Sequence, residues 1–228
     1  MEKDQTIDFS MLLASSVHDI KNSLSVLLTS LDAVIDDGDI HNDKQKQNHQ
    51  VLRDQASQIN NTLIHLLGLY RLQNNQLFLN LDQVFIADFL AEQVEQQKLL
   101  LDIHNVSASI ECDDDLSGYF DENLIAGVIN NILINCAKYA KTRIVLSAEQ
   151  KGPYLHINIT DDGDGYPQAI IKHLSNHHRS IDFNSGSTNL GLFFSQKIAA
   201  LHRCKDRQGS ILLSNLPEGG GCFSLLLP

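Results

Sequence analysis

A histidine followed by acidic and amide side chains stands near the amino terminus. His18, Asp19 and Asn22 lie within the run His-Asp-Ile-Lys-Asn-Ser-Leu at positions 18–24. A neutral imidazole is a competent nucleophile near pH 7, and a neighbouring carboxylate can hold its tautomer and accept its proton. On a helix, Asn22 shares the face of His18, because residues four apart are neighbours. Alone, the run is equally compatible with a solvated surface histidine.

A second candidate group combines amides with a lysine and a tyrosine. Asn131 and Asn135 are one helical turn apart, and Lys138 and Tyr139 follow them closely. An amide oxygen is a suitable ligand for Mg²⁺, a lysine offers a point charge to phosphate, and Tyr139 could stack on a base. The alternative is a helix that carries two capping or core amides.

A third group is acidic and glycine-rich. Asp161, Gly163 and Gly165 directly follow an apolar, strand-like run. A carboxylate there can accept a hydrogen bond from the amino group of adenine and would repel the carbonyl of guanine, which selects ATP over GTP. The glycines let the backbone turn tightly and approach a flat base. A calcium loop is disfavoured because the twelfth position from Asp161, where that loop needs an acid, holds Lys172. A plain acidic turn is the stronger alternative.

A fourth signal lies where a polar stretch ends and a helix begins. The run Gly186-Ser-Thr-Asn-Leu-Gly-Leu includes Gly191 and Leu192 and leads into an apolar helical pattern. Amide groups at a helix amino terminus favour phosphate binding. The stretch before it, 166–189, shows no clear structure, and a loop of this size is typical of a functional lid.

The elements that must carry His18 are predicted to be two long helices. Apolar residues recur every three or four positions across 8–35 and again from Leu52 to Tyr70, with a polar break at Gly38. Such a helical hairpin buries its stripes poorly alone, so two copies in a four-helix bundle, a homodimer, are expected. Packing on the rest of the chain is the alternative. The second stripe comprises Leu52, Ala56, Ile59, Leu63, Leu66 and Tyr70.

The remaining residues predict an α+β layer in which helices cover one face of a mixed sheet. Several of the predicted strands alternate apolar and polar residues, as a sheet covered on one face does. The domain boundary is expected near 74–81. The predicted helices are Ala87–Leu101, Glu122–Ala140 and Leu190–Leu201, and the predicted strands are Val106–Glu111, Arg143–Glu149, Tyr154–Thr160, Ser210–Asn215 and Cys222–Leu227.

Composition and charge disfavour some classes of protein and predict a location in the cell. The 228 residues carry a formal net charge of −11 without a basic run, which disfavours nucleic-acid binding. The four cysteines form no C-x-x-C pair and are expected to be reduced thiols. No apolar run reaches the roughly 18 residues that span a membrane, and no signal peptide is visible. A cytoplasmic protein without membrane insertion, which receives its input from a separate sensor protein, is therefore expected.

The four groups, in this order, resemble the transmitter core of bacterial two-component histidine kinases. His18-Asp-Ile-Lys-Asn resembles the phosphorylation box, and Asn131 to Tyr139 resembles the N box. Asp161-x-Gly-x-Gly resembles the G1 box and Asn189-Leu-Gly-Leu the G2 box, so the match covers nearly the whole chain. The resemblance implies a dimerisation and phosphotransfer hairpin at 1–78 that forms a dimeric four-helix bundle. It implies a Bergerat-type α/β sandwich at 79–228, an ATP-binding domain of the GHKL kind.

The resemblance also implies an activity for the first unit. By analogy, His18 attacks the γ-phosphate of ATP with Asp19 as base, and the phosphoryl group passes to an aspartate on the receiver domain of a response regulator. In similar proteins an amide at the position of Asn22 orients water to dephosphorylate the regulator. A bifunctional kinase and phosphatase is therefore implied.

For the second unit, the resemblance implies that ATP and Mg²⁺ are bound together. Asn135 would coordinate Mg²⁺, Asn131 and Lys138 would contact the phosphates, Tyr139 would face the nucleotide, and Asp161 would bind adenine. The remaining positions of the site, which shape the pocket and the hinge of the lid, are Gly163, Gly165, Gly191 and Leu192.

Two features depart from the family pattern. Asn189 stands where the G2 box usually has a glycine. Asparagine tolerates left-handed backbone better than most residues, so the hinge can survive. The stretch before it, the expected lid, lacks the Phe-x-Pro-Phe-like run that is common in the family. These departures leave a second interpretation open, a histidine phosphotransfer protein with a weak or vestigial ATP site.

Overall fold

A computed structural model describes Ile20, Leu24 and the ranges 43–74, 76–175 and 190–228. The chain divides into two compact units, Met1–Leu77 and Phe78–Pro228. His18, Asp19 and Asn22 lie outside the described residues, so the placement of the phosphorylation box stays a prediction.

The first unit is described mainly by one long helix, α1 (Asp43–Gln73). Ile20 and Leu24, from the first predicted stripe, are also helical. On α1, Ala56 is buried, whereas Leu52 and Ile59 are 55% and 50% exposed. The second predicted stripe is therefore covered only in part within a single chain.

The second unit is built on a five-stranded sheet. Its strands in chain order are β2 (Ser107–Glu111), β4 (Arg143–Lys151), β5 (Tyr154–Asp161), β8 (Ser210–Asn215) and β9 (Gly221–Leu227). They lie side by side in the order β2-β4-β5-β9-β8. Strands β2 and β4 are parallel, and the other neighbours are antiparallel. Two small two-stranded sheets add β1 (Asp82–Phe85) with β3 (Ser117–Phe120), and β6 (Arg203–Cys204) with β7 (Arg207–Gln208).

Helices contribute the other layer of this unit. In chain order they are α2 (Ile86–Gln96), α3 (Lys98–Ile103), α4 (Glu122–Tyr139), α5 (Gln168–Ser175) and α6 (Leu190–Leu201).

The core lies between the sheet and these helices. Alternate residues of β5 and β9 are buried, and the residues between them are only half-buried, as the pleat of a sheet covered on one face requires. The helical layer contributes a stripe from α4 with a spacing of three and four residues. The fully buried side chains include Ile125, Ile129, Ile132, Leu133, Ile144, Leu146, Ile157, Ile159 and Phe223.

The predicted helix Ala87–Leu101 is wrong in one respect, because the structure breaks it at Gln97. The Gln97 N–H bonds back to the carbonyl of Val94, which closes the last turn of α2 more tightly than an α-helix. The Gln97 side chain then donates to Asn130 Oδ1 at 3.2 Å, and Asn130 donates to Gln93 Oε1 at 2.9 Å. This amide cluster ties the junction of α2 and α3 to α4.

The stretch 166–189 was predicted to lack regular structure, and this is also wrong in part. Its residues Gln168–Ser175 form α5, which begins directly after Pro167. Proline has a backbone angle suited to a helix start. Residues 176–189, including Asn189, lie outside the described part of the chain.

Candidate functional site

Helix α4 presents the amide and lysine side chains of the predicted N box. Asp121 caps the helix, because its Oδ1 accepts a hydrogen bond from the Leu124 N–H at 3.0 Å. One face of the helix is buried in the core, and this fixes the rotation of the helix about its axis. Asn135 and Lys138 are half-buried beside that face, and Tyr139 is 71% exposed. Among the described residues, the side chains of Asn135 and Lys138 have no hydrogen-bond or ion-pair partner, so both are available to a ligand.

Asn131 contacts the first turn of α6. Its Nδ2 lies 3.4 Å from Ser195 Oγ, and Ser195 Oγ donates to the Gly191 carbonyl at 2.8 Å. A Cβ at Gly191 would overlap the Asn131 amide, so a side chain there would separate α4 from α6. The predicted N-box and G2-box residues are therefore brought together, with Leu192 half-buried next to Gly191.

Asp161 ends strand β5 and has a partly fixed carboxylate. Its Oδ1 accepts hydrogen bonds from the N–H groups of Gly163 at 2.8 Å and Gly221 at 3.4 Å. Its Oδ2 lies 3.8 Å from the thiol of Cys136, the residue after Asn135. Burial, followed by the nearby charge of Asp161, raises the pKa of Cys136, so the thiol keeps its proton and can donate it to Oδ2. This contact connects the predicted N box and G1 box.

The second aspartate of the Asp-Asp pair has a structural role that the motif did not reveal. Asp162 accepts hydrogen bonds from the backbone N–H groups of Lys141, Thr142 and Arg143 and, at 2.6 Å, from Thr142 Oγ1. Partial desolvation acts to raise the pKa of Asp162, but the hydrogen bonds from Thr142, Arg143 and Lys141 outweigh it and hold the pKa well below its usual range. The carboxylate therefore fixes the connection between α4 and β4.

The G1 loop requires glycine at Gly165, whose φ of +80° disfavours a side chain. A Cβ there would also lie 2.8 Å from Asn215 Oδ1. At Gly163, a Cβ would overlap the carbonyl oxygen of Tyr139. The loop thus lies against the end of α4, as the predicted nucleotide site needs.

A buried histidine supports the site from the far end of α6. His202 Nε2 accepts a hydrogen bond from the Asp121 N–H at 3.1 Å, and its Nδ1 lies 2.9 Å from the carbonyl oxygen of Ile198. Burial lowers the pKa of His202, against the opposing effects of the Ile198 carbonyl and the Asp121 charge. A neutral ring with its proton on Nδ1 satisfies both contacts and joins the carboxyl end of α6 to the start of α4.

The site fits a nucleotide with a shared Mg²⁺ ion. Among the described residues, no three His, Cys, Asp or Glu side chains are grouped to hold a metal by themselves. Mg²⁺ characteristically takes one or two protein oxygens and completes its shell with phosphates and water. The unpartnered amide of Asn135 suits that arrangement.

Comparison with known proteins shows what the second unit is similar to. Residues 120–228 match the family model of the histidine kinase-, DNA gyrase B- and HSP90-like ATPases. With the mixed sheet and its helical layer, this shows a GHKL-type α/β ATP-binding fold.

Two curated relatives extend the similarity along the chain. The adaptive-response sensory kinase SasA of Crocosphaera subtropica is 26% identical over 228 residues, which cover 95% of this chain and 58% of that protein. The sensor-like histidine kinase SenX3 of Mycolicibacterium smegmatis is 25% identical over 225 residues, which cover 95% of this chain and 56% of that protein. The chain thus spans a little over half the length of these relatives. Its predicted resemblance to the transmitter core of sensor histidine kinases is confirmed.

Solved structures agree on the fold. The Acinetobacter baumannii histidine kinase AdeS has a TM-score of 0.61 at 17% identity, covering 90% of this chain and 95% of that one. Full-length ShkA, solved in complex with AMPPNP, has a TM-score of 0.68 at 16% identity. The match covers 96% of this chain and 45% of the ShkA chain. Within the part of the chain that is described, no helix is both long and apolar enough to cross a membrane.

Proposed function

We propose that this chain is an ATP-dependent protein-histidine kinase that phosphorylates itself on His18. The first unit, predicted at 1–78, would provide the accepting histidine. The second, predicted at 79–228, would bind ATP. The observation that carries the proposal is the Asp161 carboxylate, held by the Gly163 N–H at the end of β5 and connected through Cys136 to the helix that presents Asn135.

Each side chain of the second unit has a proposed role toward ATP. Asp161 accepts a hydrogen bond from the amino group of adenine, and Tyr139 faces the nucleotide. Lys138 attracts the phosphates, and the polar amide of Asn131 supports them from beside Gly191. The glycines Gly163, Gly165 and Gly191, with Leu192, shape the pocket and the hinge of the segment that precedes α6.

Asn135 would hold Mg²⁺ through its amide oxygen, together with the phosphates of ATP. When bound, the ion supplies positive charge that offsets the negative charge of the phosphate oxygens. The residues of this chain then contribute mainly by positioning.

The phosphoryl step needs a nucleophile and a base from the first unit. An imidazole nitrogen of His18 forms a bond to the γ-phosphorus while the bond from that phosphorus to the β–γ bridging oxygen breaks, and ADP leaves. Asp19 accepts the proton that the imidazole loses. The phosphoryl group then passes from nitrogen to a carboxylate oxygen of an aspartate on a response regulator receiver domain.

We also propose that Asn22 orients water for dephosphorylation of that regulator. The idea rests on its position one helical turn after His18. Regulator that carries a phosphoryl group should lose it several-fold more slowly with Asn22→Ala than with wild type. Equal rates would contradict this second activity.

The assembly and setting are part of the proposal. Leu52, Ile59 and Leu66 are exposed, apolar and spaced seven residues apart on α1, which favours a homodimer through this helix. The setting is the cytoplasm, where ATP and Mg²⁺ are available, with a separate sensor or input protein as a further partner.

The test is incubation with Mg²⁺ and γ-labelled ATP, comparing wild type with His18→Gln. His156→Gln, a histidine substitution on the half-exposed face of β5, is the matched control. We expect acid-labile label on wild type and on the control, and none on His18→Gln. Wild type that binds ATP but gains no label would instead favour a histidine phosphotransfer protein with a weak or vestigial ATP site.

A further inference from the structure

Tyr166 lies beside the Asp161 carboxylate, at a position to which the motifs assigned no role. Gly221, on β9, has no side chain between them. A Cβ placed there would lie 2.8 Å from Asp161 Oδ2 and 2.9 Å from Cε2 of the Tyr166 ring. The carboxylate and the edge of the phenol ring therefore both pack closely against Gly221, where a side chain would displace one or the other.

The backbone of Tyr166 is fixed by a side chain from another strand. Asn215 Oδ1 accepts the Tyr166 N–H at 2.7 Å, and Asn215 Nδ2 donates to the Tyr166 carbonyl at 2.9 Å. This two-point contact mimics the pairing of an additional strand residue. It joins positions 49 residues apart and holds the G1 loop to the end of β8.

The Tyr166 hydroxyl is free to recognise a ligand. Within the described part of the chain it has no hydrogen-bond partner, and it is not among the fully buried polar atoms. Desolvation, followed by the proximity of Cys136, Asp161 and Cys222, raises the pKa of Tyr166. The phenol is therefore a hydrogen-bond donor at neutral pH.

We propose that Tyr166 is a second base-contacting residue, that its hydroxyl donates a hydrogen bond to a ring nitrogen of adenine, and that Asn215 is the positioning residue that holds it there. The inference rests on the proposed function, because it deepens the same nucleotide site. Asp161 accepts a hydrogen bond from the exocyclic amino group, and Tyr166 donates one to a nitrogen of the ring itself. The two contacts are chemically separable.

A nucleotide that lacks the amino group distinguishes the contact made by Asp161 from the contact made by Tyr166. Purine riboside triphosphate keeps the ring nitrogens of ATP but lacks the group that Asp161 binds. Dissociation constants of both nucleotides are measured by competition with a fluorescent ATP analogue. Tyr166→Phe removes only the hydroxyl, and we expect it to weaken both nucleotides equally, by roughly three- to tenfold. Asp161→Asn should weaken ATP much more than purine riboside triphosphate.

The role of Asn215 is tested with a double-mutant cycle, which measures whether the effects of the Asn215 and Tyr166 substitutions on nucleotide affinity are independent. If Asn215 acts through Tyr166, then Tyr166→Phe should cost little further affinity in the Asn215→Ala background. A merely structural role would give additive losses. Tyr119→Phe and Asn123→Ala, both exposed positions of the same unit, are the matched controls and should bind as wild type.

The outcomes distinguish this inference from the proposed function. Tyr166→Phe that binds both nucleotides as tightly as wild type would overturn the base contact while leaving ATP binding intact. Additive losses in the double variant would overturn the positioning role of Asn215. Wild type that binds neither nucleotide would overturn both the inference and the function on which it rests.

Discussion

At the scale of single residues, the proposed recognition of adenine depends on one carboxylate. Asp161 Oδ1 is engaged by two backbone N–H groups, whereas Oδ2 has only a weak thiol contact. Oδ2 is therefore the atom best suited to accept the adenine amino group. Its negative charge would repel the guanine carbonyl oxygen, so the proposed role predicts that this position selects ATP over GTP.

We predict that Asp161→Asn weakens ATP binding by at least about tenfold and reduces the preference for ATP over GTP. Asparagine retains an oxygen for the Gly163 N–H, so the G1 loop should keep its shape. The measurement is the dissociation constant of each nucleotide. Asp164→Asn, at a side chain that is 94% exposed and paired with Lys141, is the control. Unchanged selectivity in Asp161→Asn would contradict the role of this carboxylate.

At the scale of elements, two aspartates fix the ends of α4. Asp121 caps its start and also accepts the Asn80 N–H at 2.8 Å, while Asp162 binds the connection that follows it. Between them, the helix holds Asn131 and Asn135 in a set register. Stabilising the two ends is thus part of building the site.

We predict that Asp162→Ala destabilises the connection between α4 and β4 by about 1 kcal/mol, since exposed N–H groups can turn to water. The readout is faster hydrogen exchange at Lys141, Thr142 and Arg143. The pKa of Asp162 is depressed on folding, so its contribution is present above the unfolded pKa and is lost as the pH falls below it. Asp164→Ala should leave this exchange unchanged, and equal exchange in both variants would refute the role.

Helix α1 contains a histidine that should respond to acid. Burial lowers the pKa of His65 to about 4. In the unfolded chain, His65 binds a proton near pH 6.5, whereas in the folded helix it stays neutral down to a lower pH. The folded state is therefore fully stable above pH 6.5 and loses stability relative to the unfolded chain as the pH falls toward 4. The loss would approach about 3 kcal/mol at pH 4.

His65→Leu should remove most of this dependence, measured by hydrogen exchange of α1 between pH 6.5 and 4.5 after correction for intrinsic rates. His156→Leu, at a half-exposed position, is the comparison. If the stability of α1 still falls with pH in His65→Leu, another titrating group is responsible.

Elements were predictable where a local pattern dictated them. The bounds of α6 and β8 agree with those expected from apolar periodicity. The four-residue strands β1 and β3 were missed, because Phe85 and Tyr119 are exposed and break the pattern of burial. The contact between Asn215 and Tyr166 was beyond prediction, because nothing local in either segment indicates a partner 49 residues away.

At the scale of the whole molecule, we propose that two copies of the chain assemble through α1. The exposed row of α1 repeats every seven residues, the spacing with which helices pack along a shared seam. Leu66 is 40% exposed, as the third member of that row. Burial of such a row against a second copy would remove apolar surface from water.

We predict that the double substitution Leu52→Glu and Ile59→Glu converts a dimer into a monomer, because charge in an apolar seam is strongly unfavourable. Sedimentation equilibrium gives the mass. Leu99→Glu, at an exposed leucine of the second unit that is 55% accessible, should leave the dimer intact. A wild-type monomer, or a variant that remains dimeric, would contradict the role of α1 in assembly.

The central claim is that ATP held beside Asp161 phosphorylates His18. The most direct measurement is peptide mass spectrometry at neutral or basic pH after incubation with Mg²⁺ and ATP, which preserves a phosphorus–nitrogen bond. We predict one phosphoryl group on the peptide that contains His18, and its loss in Asp161→Asn. A phosphoryl group on another residue, or an unmodified His18 in chain shown to bind ATP, would contradict the claim.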